Sequence, residues 1–274
     1  METSTRLGSV AKGGFHQVGF HPTGLVGIFG CTLAAARLLG LSREQTVMAQ
    51  GIALSMGAGS LEFLEDGAWT KRMHPGWAAS SAITAATLAR NGFVGPRAAY
   101  EGRFGLFSSH LGPHLAGADL SLATANLGAS WEIEEVAIKP IPACHFTHAA
   151  ADAAVALSTS MNPADIASVD VLIPAEVIKT VCEPEENKRA PANSYDAQFS
   201  IPYIVATGLL RGRFTLDELE DKAITDPEIL ALARRVDYAA DPASTFPKHY
   251  TGEVVVTLND GRQVRHREGV MARA

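Results

Sequence analysis

The sequence predicts a mainly α protein with an α+β part: a partial all-helical domain over residues 1–125, then a smaller α+β domain over 126–274. Three observations lead there. The first half is rich in Ala, Gly and Leu and shows no strand-like alternation. Beyond it, Glu134 to Lys139 alternates apolar and polar residues and Ser168 to Ile173 is strand-like, the period of half-buried strands. Near the end, Tyr250 to Leu258 and Arg262 to Arg267 flank Asn259-Asp260-Gly261, which reads as a hairpin closed by a glycine turn. The change of composition puts the boundary at residues 120–131.

Thr23 to Leu39 reads as a helix entered through His21-Pro22-Thr23-Gly24 and stopped by Gly40. Ser42, with Gln45 three positions on, spells a capping box, so a second helix starts there and continues toward Gly57. Gly76 to Arg90 is a third, ended by Asn91-Gly92. Gly95-Pro96 opens a short helix toward Glu101. In the second half, the Glu134–Lys139 strand is followed by a helix over Phe146–Ser158 and a turn at Asn162-Pro163-Ala164-Asp165. The Ser168–Ile173 strand comes next. Cys182 to Asn193 is polar and carries a proline, which reads as a loop. Ala197–Leu210 and Asp226–Arg234 are the last helices before the hairpin.

At 274 residues, with 47% hydrophobic and 19% charged, the chain can bury a core and is too apolar for disorder. A net charge of −6 lacks the footprint of a nucleic-acid binder. It still permits a local basic pocket for anions. The cysteines, Cys31, Cys144 and Cys182, are odd in number and far apart, so no disulfide framework is expected. With no apolar signal region at the N-terminus, they point to a reducing cytoplasm. The uncharged runs Gln45–Leu61 and Met73–Ala89 are built from Gly, Ala, Ser and Thr. They predict closely packed helices, not membrane spans.

Three segments could carry chemistry. His21 stands at a helix entrance, beside free N–H groups suited to an anion. A structural histidine packed by Pro22 would spell the same. Asp66 to Gly76 puts Lys71, Arg72 and His74 in one turn ahead of a small-residue helix. It reads as carboxylate recognition by Lys71 with His74 nearby, or as a solvated basic turn. Lys139 to His148 holds two prolines that aim the side chains, with Cys144, His145 and His148 in the same stretch. Their spacing follows no zinc pattern, so no metal ligand is expected. Acid–base work by His148, with Lys139 as an anion clamp, fits better. There is no Gly-x-Gly-x-x-Gly, no phosphate loop and no Gly-x-Ser-x-Gly elbow, which disfavours a dinucleotide enzyme.

Read in order, the segments are Gly19-Phe20-His21-Pro22-Thr23-Gly24, Ala34-Ala35-Ala36-Arg37-Leu38-Leu39-Gly40-Leu41, and Asp66-Gly67 through Lys71, His74 and Gly76 to Ala78-Ala79. Gly92-Phe93-Val94-Gly95-Pro96 and Glu101-Gly102 follow, then Lys139-Pro140-x-Pro142-x-Cys144-x-x-x-His148 and Phe199-Ser200-Ile201-Pro202-Tyr203. This ordered set resembles the MmgE/PrpD family, which includes 2-methylcitrate dehydratase, cis-aconitate decarboxylase and iminodisuccinate epimerase. The resemblance implies a helical domain joined to a smaller α+β lid, with the active site in the cleft between them. It implies small di- or tricarboxylate substrates, no metal or organic cofactor, and commonly a homodimer. By similarity, His21, Lys71, Lys139 and Tyr203 are pocket positions. The residues expected to carry catalysis are His21, Lys71, Lys139, His148 and Tyr203. Those expected to contact substrate are Thr23, Arg72, His74, Cys144 and His145.

The expected reaction is cofactor-free dehydration by proton abstraction next to a carboxylate, where fixed cations stabilise the charge that builds. An epimerase using the same abstraction is the alternative, and a non-catalytic subunit is a third. Two departures stand out. In the decarboxylase branch a catalytic histidine follows the lysine corresponding to Lys139 by five residues, and here that position is Cys144. This argues against decarboxylation, because a thiol replaces imidazole only if its pKa falls well below about 8.5. Members also begin well upstream of the His-Pro-Thr-Gly segment, so the chain resembles an internal or split member. Exposed apolar surface is then expected, with aggregation or pairing to another chain.

Overall fold

The computed structural model describes residues 1–136 and 138–269. The chain packs as two units, Met1–Phe63 with Trp69–Val136, and Leu64–Ala68 with Ala137–Ala274. Helices build the first, and a four-stranded mixed sheet with helices builds the second, which is the expected fold class. No helix among the described residues is long and apolar enough to cross a membrane.

The main helices of the first unit are α1 (Glu2–Ala11), α2 (Gly27–Leu38), α3 (Arg43–Leu54) and α4 (Thr70–Arg90). Along α4, Ala78, Ala82, Ala85 and Ala89 recur at helical spacing. They join a core that holds Val10, Phe15, Ile28, Phe29, Ala49 and Ala53. The α3 capping box forms as spelled. The Ser42 hydroxyl accepts from the Gln45 N–H at 3.2 Å, and the Gln45 side chain accepts from the Ser42 N–H at 3.0 Å. The helix stops at Leu54, short of Gly57.

Four expectations need correction here. The helix expected over Thr23–Leu39 is broken at Val26 into Pro22–Leu25 and α2, between Gly24 and Gly27, where helix propensity is low. The helix expected from Gly76 already begins at Thr70, with Pro75 inside it. Gly95-Pro96 opens no helix. A Cβ on Gly51 would lie 2.1 Å from the Pro96 oxygen, and one on Gly95 would lie 2.4 Å from the Met48 oxygen. That segment is therefore pressed flat against α3. The Glu134–Lys139 strand is also absent among the described residues. A 3-10 turn spans Glu132–Glu135 instead, and Ala137 lies outside the described residues.

In the second unit, α5 (His148–Leu157) precedes β1 (Ile166–Ile173) and α6 (Ala175–Val181). Next come α7 (Ile201–Arg211), α8 (Pro227–Ala233), β2 (Val236–Ala240), β3 (Gly252–Leu258) and β4 (Gln263–Glu268). The sheet order is β2-β1-β3-β4. β1 runs parallel to β2, pairing Val169 with Val236, and antiparallel to β3, pairing Val171 with Val254. The parallel pair is joined by the long helical crossover that such pairs require. β3 and β4 form the expected hairpin, with Val256 opposite Val264 and Gly261 at φ 84° in its turn. Helices α5 and α7 approach closely because Gly208 presses on Ala154, where a Cβ would stand 2.9 Å away.

The residues expected to form a loop from Cys182 to Asn193 contain the short helix Glu185–Arg189. The helix expected from Ala197 starts at Ile201, where the Ser200 hydroxyl caps the Tyr203 N–H at 3.0 Å.

Candidate functional site

In the first unit, His21 is the cap residue of the short helix Pro22–Leu25, and Pro22 fixes the backbone that follows it. Its N–H donates to the Gly59 carbonyl at 2.9 Å. His74 lies in the second turn of α4. The two rings meet Nδ1 to Nδ1 at 2.8 Å, buried. The glycines of this region exist for that approach. A Cβ on Gly24 would stand 2.5 Å from the Ala58 oxygen and 3.2 Å from the His74 Cβ. Phe63 sets its ring edge-on to both imidazoles, with centroids 5.9 and 6.0 Å away, and the Lys71 ammonium lies 5.8 Å from the Phe63 ring centre.

The electrostatics follow from burial and one cation. Burial pushes His21 down to about 3, helped by Lys71, His74 and His16. His74 and His16 are lowered by burial first and by Lys71 second. Both paired rings therefore stay neutral at physiological pH. In a neutral pair joined through Nδ1, one ring donates and the other accepts. The donor ring keeps a bare Nε2, and the acceptor ring carries its proton on Nε2. The pair presents one base and one proton donor, beside a fixed cation. Of the other expected residues here, Thr23 is exposed, and the exposed Arg72 lays its guanidinium 4.7 Å from the Trp69 ring centre.

In the second unit, Lys139 is exposed and donates to the Ala143 carbonyl at 3.3 Å. The Cys144 N–H donates to the Gln198 carbonyl at 2.8 Å. The His145 ring stacks on Tyr250, 4.7 Å apart and 7° from parallel, and lies 5.2 Å from the His148 ring. His148 is fully buried at the start of α5, with neither ring nitrogen hydrogen-bonded. Burial pushes it down to about 4, with His145 and Lys139 adding to the fall. The Ala143 carbonyl opposes that fall without completing a bond. His145 is lowered by burial and by Lys139.

Tyr203 does not join this group. It is fully buried in α7, and its hydroxyl donates to the Glu218 carbonyl at 2.6 Å. Burial pushes it up to about 12. Its ring meets Phe214 at 6.2 Å. The bond to the Glu218 carbonyl occupies the hydroxyl proton in this structure. The sequence reasoning missed His16, Phe63 and Tyr250. Only the density of rings around the motif segments pointed to them. Among the described residues, no three His, Cys, Asp or Glu side chains are grouped to hold a metal.

The MmgE/PrpD N-terminal domain matches residues 1–117 and the MmgE/PrpD C-terminal domain matches residues 141–272. The chain belongs to the MmgE/PrpD family. It is 29% identical to human cis-aconitate decarboxylase over 253 residues, covering 88% of this chain and 50% of that protein. It is 27% identical to 2-methylcitrate dehydratase of Cupriavidus necator over 262 residues, covering 90% of this chain and 52% of that one. The Escherichia coli 2-methylcitrate dehydratase is 28% identical over 240 residues, covering 86% and 48%. The chain thus spans about half the length of the curated MmgE/PrpD relatives it matches.

Proposed function

We propose that this chain acts as a lyase on a small tricarboxylate, by dehydration of a 2-methylcitrate-like substrate without a cofactor. The observation that carries the reading is the His21–His74 pair beside Lys71. Elimination next to a carboxylate needs a base for the carbon-bound proton and a donor for the leaving hydroxyl. It also needs a cation for the charge that builds on the carboxylate. The neutral pair supplies the first two and Lys71 the third. The names of the relatives support a lyase of this class and include both dehydratases and decarboxylases.

The test is turnover of 2-methylcitrate, citrate and cis-aconitate by the purified 274-residue chain. Absorbance of the conjugated product and release of carbon dioxide are followed in parallel. Absorbance that changes without carbon dioxide supports dehydration. Carbon dioxide release replaces it with decarboxylation, and a folded, ligand-binding chain with no turnover removes both.

A second reading is supported by one surface. Trp69, Met73, Trp77 and Ile83 are all at least half exposed along and just before α4, within one arc of the helix. Such an apolar row marks an interaction face. In this reading the chain works as a homodimer or with a companion chain. Sedimentation decides it: a monomer that turns over substrate leaves no role for a partner.

A further inference from the structure

The loop between β2 and β3, residues 241–251, is tied at both ends by one buried carboxylate. The Asp241 N–H donates to the Ile173 carbonyl at the end of β1, at 2.8 Å. Its side chain accepts from the Thr251 hydroxyl at 2.8 Å and from the Ala243 N–H at 2.9 Å. Arg267 of β4 reaches both oxygens with a forked guanidinium, at 2.7 and 3.2 Å, a geometry that fixes direction as well as distance. Glu253 of β3 holds the same guanidinium at 3.1 Å. The far end of the loop is then pressed onto a helix. A Cβ on Gly252 would lie 2.6 Å from the Ala150 nitrogen, so the start of β3 lies flat on the first turn of α5, which opens at His148.

Tyr250 is carried by this clasped loop, one residue before Thr251. Phe246 of the same loop meets its ring at 5.3 Å, nearly perpendicular, and the Tyr250 ring in turn lies parallel to His145 at 4.7 Å. A ring stacked on its face cannot turn freely, while the imidazole nitrogens lie in the ring plane and stay open. His145 is half-buried, and among the described residues neither of its nitrogens is hydrogen-bonded. His148, with its ring centre 5.2 Å away, is fully buried and equally without a partner. Buried polar groups normally have partners. Two adjacent imidazoles with none point to a ligand that brings its own.

We propose that Tyr250 is a positioning residue: held by the Asp241–Thr251–Arg267 clasp, its ring sets the plane of the His145 imidazole, which hydrogen-bonds a carboxylate-bearing substrate. A neutral imidazole has one N–H to donate to such a carboxylate. The substrate class rests on the function proposed above, and the positioning rests on the stack and the clasp.

The experiment uses the full chain with labelled histidines. The His145 ring signals, assigned with His145→Ala, are followed by NMR, and citrate affinity is followed by calorimetry. In the unmodified chain and in Tyr250→Phe, the His145 ring protons lie upfield of those of free histidine, because the parallel ring shields them, and citrate binds equally. Tyr250→Leu removes the shielding and weakens citrate roughly tenfold, about the loss of one hydrogen bond. In a His145→Ala background the same change costs nothing further, because Tyr250 acts through His145. Thr251→Val keeps the ring but removes one bond of the clasp. It moves both readouts part of the way, and it carries the test if Tyr250→Leu fails to fold. Shielding or citrate affinity that survives in a folded Tyr250→Leu overturns the proposal. So does a Thr251→Val that matches the unmodified chain in both, and so does a chain that binds no citrate. Citrate bound without turnover of any substrate removes the lyase reading and leaves the positioning standing.

Discussion

His21 and His74 share a hydrogen bond between their Nδ1 atoms at 2.8 Å, although 53 positions separate them in the chain. Because only one of the two can donate, each ring fixes the tautomer of the other. Replacing His74 by Phe frees His21 to adopt either tautomer and removes the proton donor. We predict that kcat falls by roughly 10²–10⁴ with the far-ultraviolet circular dichroism unchanged. A kcat within twofold of the unmodified chain takes the pair out of the chemistry.

Lys71 gives the same site a link between binding and protonation. Its charge adds to burial in lowering His16, His21 and His74. A carboxylate bound against Lys71 cancels that part of the fall, so the histidines regain affinity for protons. Binding of a tricarboxylate is expected to take up protons, more so as pH drops from 7 toward 5. Calorimetry in two buffers of different ionisation enthalpy measures the uptake, and Lys71→Met should abolish it. Uptake that persists in Lys71→Met assigns it to other groups.

What could be read in advance was local. The Ser42–Gln45 capping box and the Asn259-Asp260-Gly261 turn are each specified within a few residues, and both form. The β2 strand was invisible, because Val236–Ala240 is five residues at a sheet edge and exists through its parallel pairing with β1. Pro75-Gly76 reads as a start signal, yet the helix begins at Thr70 and runs through it. In the site, His21, Lys71 and His74 were legible as motif residues, but their convergence on Phe63 depends on packing that no spacing encodes. Tyr203 shows a different limit of the sequence. The Phe-Ser-x-x-Tyr pattern reads the same whether the hydroxyl faces a pocket or the Glu218 carbonyl.

That bond gives Tyr203 a testable role. Tyr203→Phe strands the buried Glu218 carbonyl, and we predict a loss of about 1–2 kcal/mol in unfolding free energy, read by urea denaturation. A large fall in kcat at a temperature where the variant remains folded would return the tyrosine to the site.

Acid should unfold the chain through its neutral histidines. His21 falls to about 3 and His148 to about 4, against about 6.5 when unfolded. Between those values the unfolded chain binds more protons, so stability rises with pH. The contribution is complete above pH 6.5. It is lost as pH falls toward 4 for His148 and toward 3 for His21, at up to about 1.4 kcal/mol per pH unit for each group. Urea denaturation from pH 7 to 4.5 measures the slope. His148→Leu should reduce it by about one proton, and an unchanged slope would show that His148 is protonated in the folded chain.

Gly67 combines a left-handed backbone with a close neighbour. Its φ is 67°, in the left-handed region that costs other residues roughly 1–2 kcal/mol. A Cβ there would also lie 2.1 Å from one Asp196 oxygen. Asp196 cannot simply swing away, because its other oxygen accepts from the Ala192 N–H and from the side-chain amide of Asn193, whose own oxygen caps the turn that follows. Gly67→Ala therefore combines backbone strain with an overpacking cost of about 1–3 kcal/mol. The two costs separate in a double-mutant cycle. In an Asp196→Ala background, Gly67→Ala should cost less, so the double variant loses less than the sum of the two single losses, by about the overpacking cost. Independent effects would mean that the loop moves to accept the methyl group, and that the Asp66-Gly67 motif is kept for something other than its contact with Asp196.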